Sequence, residues 1–458
     1  MATQVVTKKH TKPIPTLPRS HPIMGNMSEY NNDRLNFLMR VARQCGDIGK
    51  FHYGFLSLIL FNAPEFVQSV FVEHTYDFDK GAYLRSAFYP VTGNGLFISE
   101  GEIHRKQRKL MAPTFQPRQI VSYADTMVGY GERILETWRD GMTVDVSQEM
   151  TDVTMSIVGK VLFDADVFTE TDELGAAMTA ALNHVAYMFS TAFPLPFNWP
   201  LPRYKRTKQA IALLRQRIQK MIDERRASAE QGNDLLSILL QAREEDGSGM
   251  SDEQVRAEAM TLFGAGHETT ANALTWAWYL LTTHPDAYQK MQQEIDTVLQ
   301  GRSPTYADLA HLPYTLQVLK EALRLYPPAY AISRGVLHDT EINGYFISKR
   351  ALVMVAPWVL HRRPDFFPDP EKFDPERFTL ENEKRLPRYA YMPFGAGPRI
   401  CIGNHFAMME GHLLLATLAQ RVTFELVAGQ NIVPQPGIGL RPKYGLKMVV
   451  QRRNPTGL

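Results

Sequence analysis

The residue best suited to chemistry in this chain is Cys401, one of only two cysteines in 458 residues; the other is Cys45. It follows Phe394-Gly395-Ala396-Gly397-Pro398-Arg399-Ile400 and precedes Ile402-Gly403, so it sits in a glycine-rich loop. A strongly helical run begins at His405. A cysteine at a helix N-terminus faces unpaired N–H groups and the positive end of the helix dipole. Both favour thiolate over thiol, which makes the sulfur a metal ligand or a nucleophile near neutral pH. Gly395, Gly397 and Gly403 leave room for a flat, bulky group to approach the backbone. Arg399 supplies a fixed cation for an anionic substituent of that group. With no Cys-x-x-Cys the loop is not a zinc site, and with no Cys-x-x-Cys-His it does not attach haem covalently.

A second constellation lies in the helical pattern 251–283, which opens on the capping box Ser251-Asp252-Glu253-Gln254 and stops before His284-Pro285. Such a helix is roughly 46 Å long, enough to cross a domain. Its centre reads Gly264-Ala265-Gly266-His267-Glu268-Thr269-Thr270. Mid-helix glycines cost about 1 kcal/mol each relative to alanine, so two of them call for a reason. A thinned helix admits a planar cofactor or small ligand, and the Thr269 hydroxyl can bond back to a carbonyl and open the ladder. The acid–alcohol pair Glu268 and Thr269 suits proton relay through water.

Further charged residues recur at helical spacing. In the basic run 101–110, His104 and Arg108 share a face, while Arg105, Lys106 and Lys109 point elsewhere. Glu321 and Arg324 stand three apart in a helical pattern over 314–326 that Pro327-Pro328 stops. Asp374-Pro375-Glu376-Arg377-Phe378 follows, and Cys401 comes 24 residues after Arg377.

In type, order and spacing these residues resemble the cytochrome P450 superfamily. Phe394, Gly397, Arg399, Cys401 and Gly403 match its Phe-x-x-Gly-x-Arg-x-Cys-x-Gly loop. Ala265, Gly266, Glu268, Thr269 and Thr270 match its oxygen-activating stretch, and the Glu-x-x-Arg and Pro-Glu-Arg-Phe motifs complete the series. The resemblance implies a mainly α fold with small β-sheets, with haem b held non-covalently between the 251–283 helix and the cysteine loop. It implies that Cys401 is the axial thiolate ligand and that Phe394, Gly395, Arg399, Gly403 and Ala265 contact the cofactor. His104, Arg108 and Arg334 would meet the propionates. The family commonly has Trp-x-x-x-Arg at the first pair; His104 departs from it, although an imidazole N–H can also donate. Glu268 and Thr269 would deliver protons, and Ala265, Thr269, Tyr330, Ala331 and Ile332 would line the substrate cavity. Glu321, Arg324 and Arg377 would lock the core behind the haem.

The implied activity is insertion of one oxygen atom of O2 into a lipophilic molecule, by hydroxylation or epoxidation. Electrons would come from a ferredoxin or flavodoxin and its NAD(P)H reductase, docked on a basic face that includes Lys106 and Lys109, with Lys384, Arg385 and Arg388 enlarging it. A peroxide-driven or oxygen-independent haem-thiolate enzyme would normally lack the acid–alcohol pair, and a haem sensor needs none.

The rest of the chain supplies the frame. Prolines 13, 15, 18 and 22 predict a stiff, extended lead-in over 1–25. A helix is expected over 37–45, a hairpin from 48–53 and 57–62 turning at Gly54, and a helix over 64–73. Residues 76–100 read as loop, which in the family roofs the substrate cavity. Amphipathic helices fill 117–230, interrupted by the proline-rich break 193–202, and short strands are expected at 332–336, 340–347 and 351–355. A final β pair is expected from 422–427 and 447–451. No linker or repeat divides the chain, so one domain over 1–458 is expected. A net charge of +2 gives no nucleic-acid signal, and no apolar run marks a membrane anchor. Two distant cysteines form no disulfide framework and fit a reducing cytoplasm, as in soluble bacterial members of the family.

Overall fold

The consecutive apolar residues Leu58-Ile59-Leu60-Phe61 bury strand Leu56–Phe61 inside a sheet, with a neighbouring strand on each side. The computed structural model describes residues 11–164, 171–191, 195–227, 234–243 and 247–453. Lys8 and Lys9 of the lead-in and residues 193 and 194 of the proline-rich break lie outside the described residues. Contacts gather the chain into two compact units, neither contiguous in sequence. One comprises Met1–Ser86, Arg324–Lys372 and Leu380–Cys401, the other Ala87–Leu323, Phe373–Thr379 and Ile402–Leu458.

The first unit is organised on a five-stranded sheet ordered Ile48–Tyr53, Leu56–Phe61, Ala351–Val355, Ile332–Val336 and Phe78–Asp79. The first two strands form the expected hairpin, with Lys50 opposite Ile59. Leu56–Phe61 then pairs in parallel with Ala351–Val355, Ser57 opposite Ala351, across nearly 300 residues of intervening chain. Helix Arg34–Cys45, begun by Asp33 accepting from the Asn36 N–H (3.1 Å), buries Leu38 and Val41 in a cluster with Phe51, Leu58 and Leu60. Of the lead-in, residues 1–10 lie outside the described residues, 12–19 are extended as predicted, and His21–Gly25 closes into a turn. Leu17 N–H donates to the Lys50 carbonyl and Lys50 N–H to the Pro15 carbonyl, both at 2.8 Å.

The second unit is dominated by helix Asp252–Thr283, whose cap Ser251 accepts from the Gln254 N–H at 3.2 Å. Its stretch Ala273–Leu281 is almost wholly apolar, and Leu274, Trp276, Ala277, Trp278 and Leu281 are fully buried. A helix of this kind must be enclosed. Helices Val146–Phe163 and Asn404–Arg421 pack against it, and the indole N–H of Trp276 donates to the Leu440 carbonyl at 2.9 Å. The expected last β pair is Val422–Leu426 with Lys447–Arg452, joined by Thr143–Asp145 into three strands.

Two expectations are corrected. Residues 76–100 are not simply loop, because helix Ala82–Thr92 occupies their centre. Its buried positions Ala87, Phe88, Val91 and Thr92 have helical spacing, but exposed Tyr83 and Tyr89 on the other side hide the period. The predicted helix 64–73 changes pitch, becoming a π turn over Ser69–Glu73.

Candidate functional site

The cysteine loop is set by backbone packing inside the first unit. The Cys401 N–H donates to the Phe394 carbonyl at 3.0 Å, which ties the ends of the loop together. Gly397 has φ +69°, and a Cβ there would lie 1.8 Å from the Phe71 carbonyl oxygen, so only glycine fits. The π turn brings Phe71 to that position. The guanidinium of Arg334, buried on strand Ile332–Val336, lies 4.7 Å over the Phe71 ring, and its Nη1 donates to the Ser333 carbonyl at 2.8 Å. Ile332 Cδ1 is 3.6 Å from where a Cβ on Gly395 would sit. The unit therefore assembles Phe394, Gly395, Gly397, Ile332 and Arg334 around Phe71, a residue with no signal in the sequence pattern. Cys401 is exposed, Arg399 is half-buried in a single 3-10 turn, and helix Asn404–Arg421 begins after its cap Gly403. Tyr330 is buried with its hydroxyl 3.5 Å from Arg34 Nη1, and Ala331 packs against the Phe37–Phe51 cluster.

The centre of the long helix belongs to the second unit. Ala265 and Thr269 are exposed one turn apart, and the Thr269 hydroxyl donates to the Ala265 carbonyl at 2.9 Å as anticipated. The helix nevertheless runs unbroken through this bond. A Cβ on Gly266 would crowd Val158 Cγ2 at 3.1 Å, whereas one on Gly264 would meet Met178 Sδ at an ordinary 3.5 Å. Helix–helix contact therefore favours a residue without a side chain at Gly266, while Gly264 has room for a methyl group.

Glu268 is half-buried beside the hairpin of Pro434–Pro436 and Leu440–Pro442. Its Oε1 is 3.5 Å from where a Cβ on Gly439 would lie. Burial raises its carboxyl above the usual range, and the charge of Arg441 opposes the shift. One turn on, Asn272 Nδ2 is buried without a hydrogen-bond partner next to Gly439. A further acid was missed in the sequence. Glu410, nine residues beyond the cysteine, is fully buried, neither of its carboxyl oxygens has a hydrogen-bond partner among the described residues, and desolvation pushes its carboxyl up to about 8. A glutamate in the apolar run Ala407–Leu415 was the available signal.

The basic helix Gly101–Met111 divides as expected: His104 is buried and Arg108 half-buried, while Arg105, Lys106 and Lys109 are exposed. Arg105 pairs with Glu102 at 2.6 Å, and Arg385 pairs with Glu381, which dilutes the expected basic patch. Lys384 and Arg388 are exposed. Glu321 and Arg324 are fully buried rather than surface groups. Glu321 accepts from the Asp374 N–H at 2.9 Å and pairs with Arg377 at 3.5 Å. Arg324 donates to the carbonyls of His361 (2.9 Å), Pro370 (2.7 Å) and Lys372 (3.1 Å). Charges this deeply buried are held in place by full satisfaction, which suits a structural lock.

Residues 15–448 match the family model described as Cytochrome P450. Cyclooctatin synthase of Streptomyces melanosporofaciens is 36% identical, over 92% of this chain and 92% of its own length. Cyclooctat-9-en-7-ol 5-monooxygenase of the same organism is 34% identical, over 91% of each chain. The crystal structure of the cytochrome P450DA heme domain superposes with a TM-score of 0.89 at 28% identity, covering 97% of this chain and 99% of that one.

Proposed function

The chain belongs to the cytochrome P450 family and is a monooxygenase, and on that premise we propose that it oxidises a lipophilic small molecule with electrons from separate redox proteins. The exposed Cys401 thiol, in a loop closed by its own backbone bond to Phe394, is the observation that carries this reading. Among the described residues no group of three or more His, Cys, Asp and Glu could hold a bare metal ion. One open thiolate fits instead a metal whose remaining ligands come from a macrocycle. Haem b would be held by Cys401, with His104, Arg108 and Arg334 at its propionates and Phe394, Gly395, Ala265, Arg399 and Gly403 along the ring. When bound, the haem supplies oxygen activation, and the thiolate donates electron density that favours O–O cleavage. Glu268, its carboxyl raised by burial, holds a proton closer to neutrality than a free glutamate does and passes it through water to the Thr269 hydroxyl.

The exposed strip of Ala265 and Thr269 offers methyl groups and one hydroxyl, which suits a neutral, mostly apolar substrate. Tyr330, Ala331 and Ile332 complete the proposed lining. One relative is named for the oxygenation of cyclooctat-9-en-7-ol, an alcohol. We propose one domain over 1–458 with 1–25 as its lead-in, since each unit is built from three separate segments of the chain. We place the enzyme in the cytoplasm. Its two cysteines are free, and among the described residues no helix is long and apolar enough to cross a membrane.

Turnover separates this reading from a peroxide-driven one. Product should form with a reduced ferredoxin or flavodoxin and O2, and not with peroxide alone. Thr269→Ala should retain haem and lower product per electron by about tenfold, the remainder appearing as peroxide or water. An unchanged yield removes the relay.

The electron donor is proposed to be acidic and to meet the outer face of helix Gly101–Met111. Lys106→Glu with Lys109→Glu should slow reduction by an acidic ferredoxin by about tenfold at low salt, with substrate affinity unchanged. A rate insensitive to both reversal and salt rejects this face.

A further inference from the structure

We propose that Glu258 is a positioning residue that fastens segment 93–97 to the long helix and thereby fixes one border of the substrate strip. The strip's identity rests on the function proposed above; the fastening does not. Glu258 is fully buried, and its Oε2 accepts from the Leu96 backbone N–H at 2.8 Å. The segment comes close enough because two glycines remove side chains. A Cβ on Gly95 would lie 2.1 Å from Thr261 Oγ1 and 2.7 Å from the Ala257 carbonyl oxygen, and one on Gly93 3.2 Å from Ala257 Cβ. From outside, Gln107 Nε2 donates to the Asn94 carbonyl at 2.8 Å.

Glu258, Thr261, Ala265 and Thr269 follow one another at spacings of three and four, so they lie along one face of the helix. The segment covers the first two, and the next two are the exposed pair. Phe97, directly after the fastened amide, stands edge-on to Phe88 with centroids 4.8 Å apart and stays 38% exposed. Fixing the Leu96 amide therefore fixes where the next residue's aromatic ring stands against Phe88.

A carboxyl is a costly way to fill a buried apolar site. The second oxygen of Glu258 is buried with no hydrogen-bond partner, and desolvation raises the group to about 7. The bond to Leu96 is what the side chain gives in return, and it is a bond between two segments of the chain.

Hydrogen exchange at peptide 94–99 tests the fastening. Glu258→Gln retains an acceptor oxygen at the same reach and should exchange within about twofold of the parent. Glu258→Leu removes the acceptor, and Glu258→Asp withdraws it by one methylene while keeping the charge. Both should raise exchange at 94–99 by about tenfold without changing 270–281. If the leucine variant does not fold, the aspartate variant carries the test. In the haem-loaded protein, the affinity ratio of imidazole to 4-phenylimidazole, read from the Soret band, should shift by about threefold or more in Asp and Leu but not in Gln. Unchanged exchange in Asp, equal exchange in Gln and Asp, or exchange raised along the whole helix would each overturn the proposal. A parent protein without a thiolate-type spectrum would reject the function proposed above and leave the exchange result standing.

Discussion

Cys401→Ala is expected to abolish the red-shifted Soret band of the reduced, carbon monoxide-treated protein, together with all monooxygenase turnover. The loop should survive the change, because what shapes it is backbone. The Cys401 N–H bond to Phe394 and the Gly397 approach to Phe71 involve no cysteine side chain. The thiol is exposed, so its loss costs the fold within about 0.5 kcal/mol. A variant that folds normally and lacks the band therefore reports on ligation rather than structure. A thiolate-type spectrum in the variant would remove Cys401 as the ligand.

Glu410→Gln should make the protein more stable at alkaline pH, with the gain absent in acid. Burial raises the Glu410 carboxyl to about 8 from an ordinary value of 4.5. A group raised on folding is neutral in the folded state while already ionised in the unfolded chain. Its contribution is complete below pH 4.5 and is lost as pH climbs to about 8. Glutamine stays neutral throughout and loses nothing. The shift corresponds to roughly 5 kcal/mol between the two ends of that window. Denaturation midpoints of parent and variant should coincide in slope near pH 4 and diverge steadily up to pH 8. Parallel curves across the range would show that Glu410 ionises without penalty. Glu258, raised to about 7, adds a smaller total loss of the same sign over a narrower pH window, which Glu410→Gln leaves in place.

What the sequence disclosed follows from which interactions are local. The strands at 48–53, 332–336 and 351–355 match the structure to the residue, since alternation and flanking turns declare them. The long helix is legible for the same reason, with Ser251 marking its start and His284-Pro285 its end. Helix Ala82–Thr92 was lost because aromatic residues on two sides cancel its period. At the site, the loop residues were legible through their spacing. Phe71, Arg441, Glu410 and Glu258 were not, because each owes its role to a neighbour far away in the chain. Gly264 and Gly266 were noticed, but the packing of Val158 close against Gly266 was not legible, because Val158 lies over a hundred residues away in the chain.

The parallel pairing of Leu56–Phe61 with Ala351–Val355 has a consequence for biosynthesis. A chain emerging from the ribosome carries the hairpin Ile48–Phe61 early but must wait for residue 355 before its open edge finds a partner. Closing so long a loop costs roughly 5 kcal/mol of chain entropy, and hydrogen bonds formed after closure must recover it. Until then the nascent chain shows an apolar edge strand, the kind of surface that recruits chaperones or pairs with another copy. The cysteine loop is the last piece of that unit to appear, ending at Cys401. Truncations before that point should accumulate as aggregates rather than as a folded half, and slowing translation just after the hairpin should lower the yield of soluble protein.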